Sequence, residues 1–171
     1  MKLLKVVSLV LMAPFFVLFS ARVFAADSGQ VTATVTVQNI SLTVSDGTIS
    51  YGTLPINSSK ATVNLAPADT QTITNNGNVN EKFSVRGTDS ASWTLSSSAG
   101  VDQYVHKFCA SSCSTPPTGY TALSSGSYTT LSASVAPSGT ASLDLEITTP
   151  TSSTVFTSQS VNVTVQAALP D

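Results

Sequence analysis

The chain has 171 residues, of which 9% are charged and 42% hydrophobic, and its formal net charge is −2 at pH 7. Without a basic surface, it is not expected to bind nucleic acid or anionic lipid. Serine and threonine replace charged residues throughout, which is typical of extracellular β-proteins. Aliphatic and aromatic side chains recur at strand spacing, which argues against disorder.

The first 25 residues predict a secretory signal peptide. Lys2 and Lys5 precede an apolar run over residues 6–19, and Val23-Phe24-Ala25 places suitable side chains at −3 and −1 of a cleavage site. The run is too short for a membrane span, so we expect cleavage after Ala25 and no membrane insertion afterwards. Residues 26–171 then form one domain of 146 residues, and its four basic and nine acidic side chains give a net charge of −5.

Alternation of apolar and polar side chains predicts strands along most of the mature chain. In the first of these, Gln30–Val37, one face carries Val31, Ala33, Val35 and Val37. The apolar parity then shifts at Ile40, Leu42 and Val44, which indicates a bulge or a change of sheet. Asp46-Gly47 next predicts a hairpin turn leading to Ile49 and Tyr51.

Later strands are predicted at regular spacing, separated by turns rich in Gly, Pro, Asn and Ser. Near the C-terminus, Leu143, Leu145 and Ile147 are expected to face inward, with Asp144 and Glu146 facing outward. About nine or ten short strands in all indicate a single antiparallel β-sandwich with Greek-key, immunoglobulin-like connections. The later predicted strands are Val63–Leu65, Gln71–Thr74, Phe83–Val85, Trp93–Leu95, Tyr104–Cys109, Tyr120–Leu123, Tyr128–Val135, Leu143–Ile147 and Val161–Ala167.

Cys109 and Cys113 are the two cysteines of the chain. In an exported protein their spacing favours a disulfide that closes a short local loop. Free thiols and a metal site are the alternatives, although the single histidine, His106, supplies too few further ligands for a metal. The spacing does not fit a redox motif.

No arrangement of residues predicts an enzyme. The chain lacks a recognisable nucleophile motif or zinc motif, and His106 is most simply a hydrogen-bonded strand residue. We therefore expect no catalysis, no cofactor and no metal. Calcium bound by turn aspartates is a weaker alternative, because their spacing matches no calcium loop. Those aspartates are Asp46, Asp69, Asp89 and Asp102, with an asparagine cluster around Gly77.

Aromatic side chains leave room for a glycan-binding alternative. Tyr104, Tyr120 and Tyr128 are the candidates for exposed stacking surfaces, whereas Trp93 is expected to lie between the sheets. These tyrosines are scattered along the sequence, so packing in the core or at sheet edges is the simpler prediction.

The strand Gln30–Val37 immediately follows the predicted cleavage site. An N-terminal strand at this position is either an ordinary first strand of the sandwich or a donor strand that completes a neighbouring subunit. The sequence favours the ordinary strand, because nothing between Val37 and Ile40 has the composition of a free linker.

Trp93-Thr94-Leu95 resembles the first motif of WxL domains, exported sandwiches that bind bacterial cell walls non-covalently. The preceding segments Thr48–Gly52 and Val85–Asp89 also resemble that pattern, so the resemblance covers about Ser41 to Leu95. The second Trp-x-Leu of the family is missing from the last strand. Chaperone-assembled pilins are similar in size and composition, but their long-range disulfide and C-terminal aromatic pattern are absent.

The sequence thus predicts a secreted, non-enzymatic structural protein associated with the bacterial cell envelope. The chain shows no lipidated cysteine, sorting motif or C-terminal apolar anchor, so we expect non-covalent retention at the surface. The expected partners are cell-wall or surface proteins and glycans. The alternative is a subunit of a surface fibre or adhesin that forms homo-oligomers by strand exchange, and a glycan-binding module ranks third.

Overall fold

The fold is all-β, as predicted, with two sheets in a sandwich-like arrangement. The computed structural model describes residues 27–113 and 118–171. These residues contain ten strands and one three-residue 3-10 helix, Thr62–Asn64. The strands are β1 (Leu42–Val44), β2 (Ser59–Ala61), β3 (Gln71–Asn75), β4 (Glu81–Gly87), β5 (Thr94–Leu95), β6 (Gln103–Cys109), β7 (Thr121–Ala122), β8 (Thr129–Val135), β9 (Thr140–Thr148) and β10 (Val163–Ala168).

The chain separates into two compact units, residues 1–35 and residues 36–171. The predicted signal peptide lies outside the described residues. All ten strands belong to the second unit, and residues 27–41 lie in no strand. The prediction of Gln30–Val37 as an ordinary first strand is therefore wrong. Alternation of apolar and polar residues indicates that a segment can form a strand, but a strand forms only where a neighbouring strand offers an edge to pair with.

The larger sheet has the order β1-β3-β9-β6-β5, with β2 beside β9 and β7 beside β6. The smaller sheet has the order β10-β4-β8. All pairs between named strands are antiparallel except the two-residue pair of β5 and β6. The strand β4 is therefore central in its sheet, and β10 and β8 are its edges.

The core fills the space between the two sheets. Its buried members come from both inner faces, where the alternating pattern places apolar side chains. They are Ile73, Phe83, Val85, Leu95, Tyr104, Phe108, Leu123, Leu131, Val135, Leu143 and Leu145. Burial of each large apolar side chain contributes roughly 1.5–3 kcal/mol to stability.

Two local predictions at the N-terminal side of the sandwich are wrong. The turn at Asp46-Gly47 does not lead into a hairpin, because β1 pairs with β3 instead. An Asp46 Oδ1 atom accepts a hydrogen bond from the Thr48 N–H at 2.7 Å. This hydrogen bond is the main reason why the pKa of Asp46 is lower than its ordinary value. The predicted strand at Val63–Leu65 is largely occupied by the 3-10 helix.

Asp144 and Glu146 lie on the outer face of β9, as expected, but they are buried rather than exposed to solvent. An Asp144 Oδ1 atom accepts hydrogen bonds from the hydroxyls of Thr62 (2.8 Å) and Thr70 (2.7 Å). Glu146 pairs with Lys107 at 2.9 Å. Each buried carboxylate thus has a polar or charged partner, which compensates for lost hydration.

Candidate functional site

Residues 36–171 carry a groove of about 970 Å³, lined by both apolar and polar side chains. This volume far exceeds the small packing defects that are found in close-packed protein interiors. The groove opens between β10 of the smaller sheet and the β1 side of the larger sheet. Its apolar lining comprises Val44, Ile49, Tyr51, Leu54, Trp93, Leu143, Leu145, Ile147, Val155, Phe156, Val161, Val163 and Val165.

Incomplete coverage of β10 explains why the groove is open. On β4, the inward side chains Phe83 and Val85 are fully buried, because strands lie on both sides. On β10, the inward side chains Val163, Val165 and Ala167 are only half-buried. No strand among the described residues pairs with the other edge of β10. The strand β10 is therefore an edge strand whose inward side chains remain partly exposed.

Tyr51 and His106 form a hydrogen-bonded pair in the wall of the groove. The hydroxyl of Tyr51 and Nε2 of His106 are hydrogen-bonded at 3.1 Å, and the two rings meet edge-on. His106 is 2% exposed, and its Nδ1 atom has no hydrogen-bond partner. Burial lowers the pKa of His106 to about 4, and burial also raises the pKa of Tyr51. His106 is therefore neutral at pH 7 and serves as part of the groove wall.

The segment Gln30–Val37 is the most exposed apolar stretch in the described chain. Val31 is 96% exposed, Val35 is 92% exposed and Val37 is 82% exposed. Isolated apolar side chains at a protein surface are ordinary, but alternating valines in an unpaired segment are unusual. The segment has the composition of a half-buried strand and lies in no strand.

Residues 37–41 precede β1 and extend its pairing through further hydrogen bonds. The backbone pairing of β1 with β3, Leu42 opposite Asn75, extends in the same register to Ser41 with Asn76 and to Asn39 with Asn78. Side chains add to this pairing, since the amide of Asn78 contacts both Asn39 N (2.8 Å) and the Val37 carbonyl (2.9 Å).

Glu81 provides a further anchor for the same stretch. Its buried carboxylate accepts a hydrogen bond from the Ser41 N–H at 2.8 Å. Gly77 allows this close packing, because a Cβ atom there would lie 2.3 Å from Glu81 Oε1 and 2.4 Å from the Asn39 carbonyl. Residues 37–44 form one extended arm, whose direction is fixed by the turn between β3 and β4.

Trp93 and Leu95 of the Trp-x-Leu motif lie within the sandwich. Leu95 is buried in the core, and its N–H donates to Asp89 Oδ1 at 2.8 Å. Trp93 is half-buried at the groove, and its Nε1–H donates to the Ser153 hydroxyl at 3.2 Å. The half-burial of Trp93 fits the expected position between the sheets.

Cys109 and Cys113 form the predicted disulfide. Cys109 lies at the end of β6 and is buried, whereas Cys113 is half-buried. The bond closes a local loop immediately beside residues 114–117, which lie outside the described part.

The three tyrosines do not form a common stacking surface. Tyr104 is fully buried in the core, which agrees with the favoured prediction of core packing and removes Tyr104 as a candidate for an exposed stacking surface. Its hydroxyl donates to the Thr88 carbonyl, and burial raises its pKa. Tyr120 is half-buried, and Tyr128 is exposed with the Arg86 guanidinium 4.9 Å from its ring centre.

In residues 27–113 and 118–171, no three His, Cys, Asp or Glu side chains lie close enough together to hold a metal ion. Nor does this part of the chain contain a helix long and apolar enough to cross a membrane. The chain matches no family model, no curated protein and no solved structure.

Proposed function

We propose that this protein is an exported structural subunit that assembles into a fibre at the bacterial surface by strand exchange. One observation carries the proposal: an unpaired segment with strand alternation, Gln30–Val37, occurs in a chain whose smaller sheet has a free edge at β10 with partly exposed apolar side chains. Each feature leaves apolar surface in water, and pairing between subunits removes both defects together.

Burial of the valine side chains of the segment supplies most of the free energy of association in this proposal. Full burial of a valine side chain contributes roughly 1.5–3 kcal/mol, so Val31, Val35 and Val37 together offer roughly 5–9 kcal/mol before the costs of association. Hydrogen bonds along an added strand fix its position and also satisfy the exposed edge. This combination supports assembly as the role of the segment.

Export and a surface location belong to the same proposal. They are supported by the predicted signal peptide and by the disulfide of Cys109 and Cys113, since disulfides persist in oxidising compartments. Retention at the cell wall through the Trp-x-Leu resemblance remains a prediction, because Trp93 and Leu95 are both accounted for by packing within the sandwich.

The test compares the mass of the mature chain in solution with that of the variant V31D/V35D, using light scattering and electron microscopy. A carboxylate cannot be buried in an apolar groove without a partner, so the variant is expected to remain monomeric while the unsubstituted chain forms multimers. Circular dichroism should show the same β-sheet signal and the same unfolding temperature, because both valines are exposed in the single chain.

The matched control is T32D/T36D, which adds the same charges to the opposite face of the same segment. We expect this control to retain multimers. A monomeric unsubstituted chain at all concentrations would overturn the proposal. Equal loss of multimers in the two variants would also count against it, because the effect would then come from charge and not from the apolar face.

A further inference from the structure

We propose that the segment Gln30–Val37 of a second copy adds a strand to the free edge of β10 and covers the groove beside it. This inference rests on the proposed function, and it adds where the strand binds, what faces it and which copy donates it. Four features of the described residues support it: spacing, length, burial and the anchored connection of the segment.

The spacing of apolar side chains is the same in donor and acceptor. The donor carries four inward positions, each two residues apart. The strand β10 and the residues just before it also carry four half-buried inward positions, two residues apart. Cross-strand neighbours on the same face interact directly, so four matched positions form a continuous apolar layer. The donor set is Val31, Ala33, Val35 and Val37, and the acceptor set is Val161, Val163, Val165 and Ala167.

Length and volume fit as well. Eight extended residues span about 27 Å, and the acceptor stretch of residues 161–168 has the same number of residues. The groove of about 970 Å³ lies directly below this stretch. Its walls come from both sheets, and an added strand would cover the partly exposed inward side chains of β10, Val163, Val165 and Ala167.

Burial selects β10 over the other edge of the same sheet. On β8, the inward side chains Leu131 and Val135 are 7% and 6% exposed, so this edge has little apolar surface left to cover. On β10 the corresponding side chains are half-buried. An added strand therefore gains more by binding at β10.

The connection of the segment to the sandwich favours a second copy as donor. Residues 39–44 pair continuously with the β3–β4 region, and Asn78 also holds the Val37 carbonyl. Gln38 is the one residue between Val37 and the anchored Asn39, and the stretch 36–41 contains no glycine or proline. A short, anchored connection of this kind favours exchange between copies.

Disulfide trapping tests the site and the donor together. In either strand direction, the matched positions place Thr34 opposite Thr164, and Thr164 is exposed on the outer face of β10. Residues directly opposite each other have Cα atoms about 4.5–5.5 Å apart, which is within the range that a disulfide spans. The full mature chain carrying T34C is mixed with the chain carrying T164C under mild oxidation.

The matched control mixes T34C with T130C, because Thr130 is an exposed residue on β8, the other edge of the sheet. We expect the T34C–T164C mixture to give at least tenfold more covalent dimer than the control mixture. Mass spectrometry of the linked peptides identifies the joined cysteines. Each variant oxidised alone gives the background of symmetric dimers.

The outcomes separate this inference from the proposed function. Multimers of the unsubstituted chain with equal or preferred trapping at position 130 would overturn the β10 site and leave fibre assembly standing. The double variant T34C/T164C is oxidised at low concentration as a further test, and a monomer in which the two new cysteines are joined within one chain would overturn the second copy as donor. Failure of the unsubstituted chain to form multimers would overturn the proposed function, and this inference with it.

Discussion

Replacing Val35 with alanine should weaken self-association without changing the stability of the single chain. Val35 is 92% exposed, so its side chain contributes almost nothing to folding of the monomer. In the proposed assembly the side chain is buried, and valine exceeds alanine by two carbon groups. At about 0.8 kcal/mol per buried group, V35A should lose about 1.6 kcal/mol per contact between subunits. That loss weakens the association constant about fifteenfold.

Sedimentation equilibrium over a concentration series measures the association constant, and urea unfolding of the dilute chain measures the free energy of unfolding. The control is T34A on the opposite face, for which we expect a change of less than about threefold, as at other exposed sites. The reasoning would be refuted if V35A associated as tightly as T34A. It would also be refuted if V35A lowered the unfolding free energy of the monomer by 1 kcal/mol or more, on the order of a lost packing contact.

Three further predictions concern residues around the groove, the arm and the disulfide. The pKa of His106 is about 4 in the folded chain and about 6.5 in the unfolded chain. Its contribution to the free energy of unfolding, about 3 kcal/mol, is therefore complete above pH 6.5 and is lost as the pH falls towards 4. Urea unfolding of V31D/V35D with and without H106Q should show this difference, and parallel pH profiles would contradict it. The variant E81A removes the acceptor of the Ser41 N–H and should speed hydrogen exchange at that amide. The control E81Q keeps an acceptor oxygen and should exchange more slowly than E81A. Equal exchange rates in the two variants would exclude Glu81 as an anchor of the arm. Replacing both cysteines with alanine should lower the unfolding free energy by about 2 kcal/mol or less, because the closed loop is short; a loss of 4 kcal/mol would assign the disulfide a wider role.

Much of the fold could be predicted from alternation alone. The strands β4, β8, β9 and β10 lie where apolar and polar side chains alternate, because one face of each strand contacts the core. The prediction failed where burial has another source. Asp144 lies on the outward face but is covered by the segment that carries Thr62 and Thr70, and no local pattern indicates this cover.

Only one of the two parts of the candidate site could be predicted from the sequence. The alternating valines of Gln30–Val37 are a local pattern, and strand exchange could therefore be proposed as an alternative. The groove is not a local pattern, because it results from the absence of a strand beside β10. The firm connection at Val37–Ile40 counted against exchange in the sequence, since a free linker was expected. In the structure that connection belongs to the arm of residues 37–44, which is held by hydrogen bonds to the turn between β3 and β4.

The attachment of this arm has a mechanical consequence for any filament built from these subunits. The backbone pairs from Asn39 to Val44 lie along the same line as the arm itself. Tension along the arm would therefore load these hydrogen bonds together, in shear, instead of peeling them apart one after another. The buried Glu81 carboxylate and the Asn78 amide lie at the point where the load enters the domain. We expect a filament that resists stretching and bends little at its junctions, because Gln38 is the one residue between the donated strand and the anchored ladder.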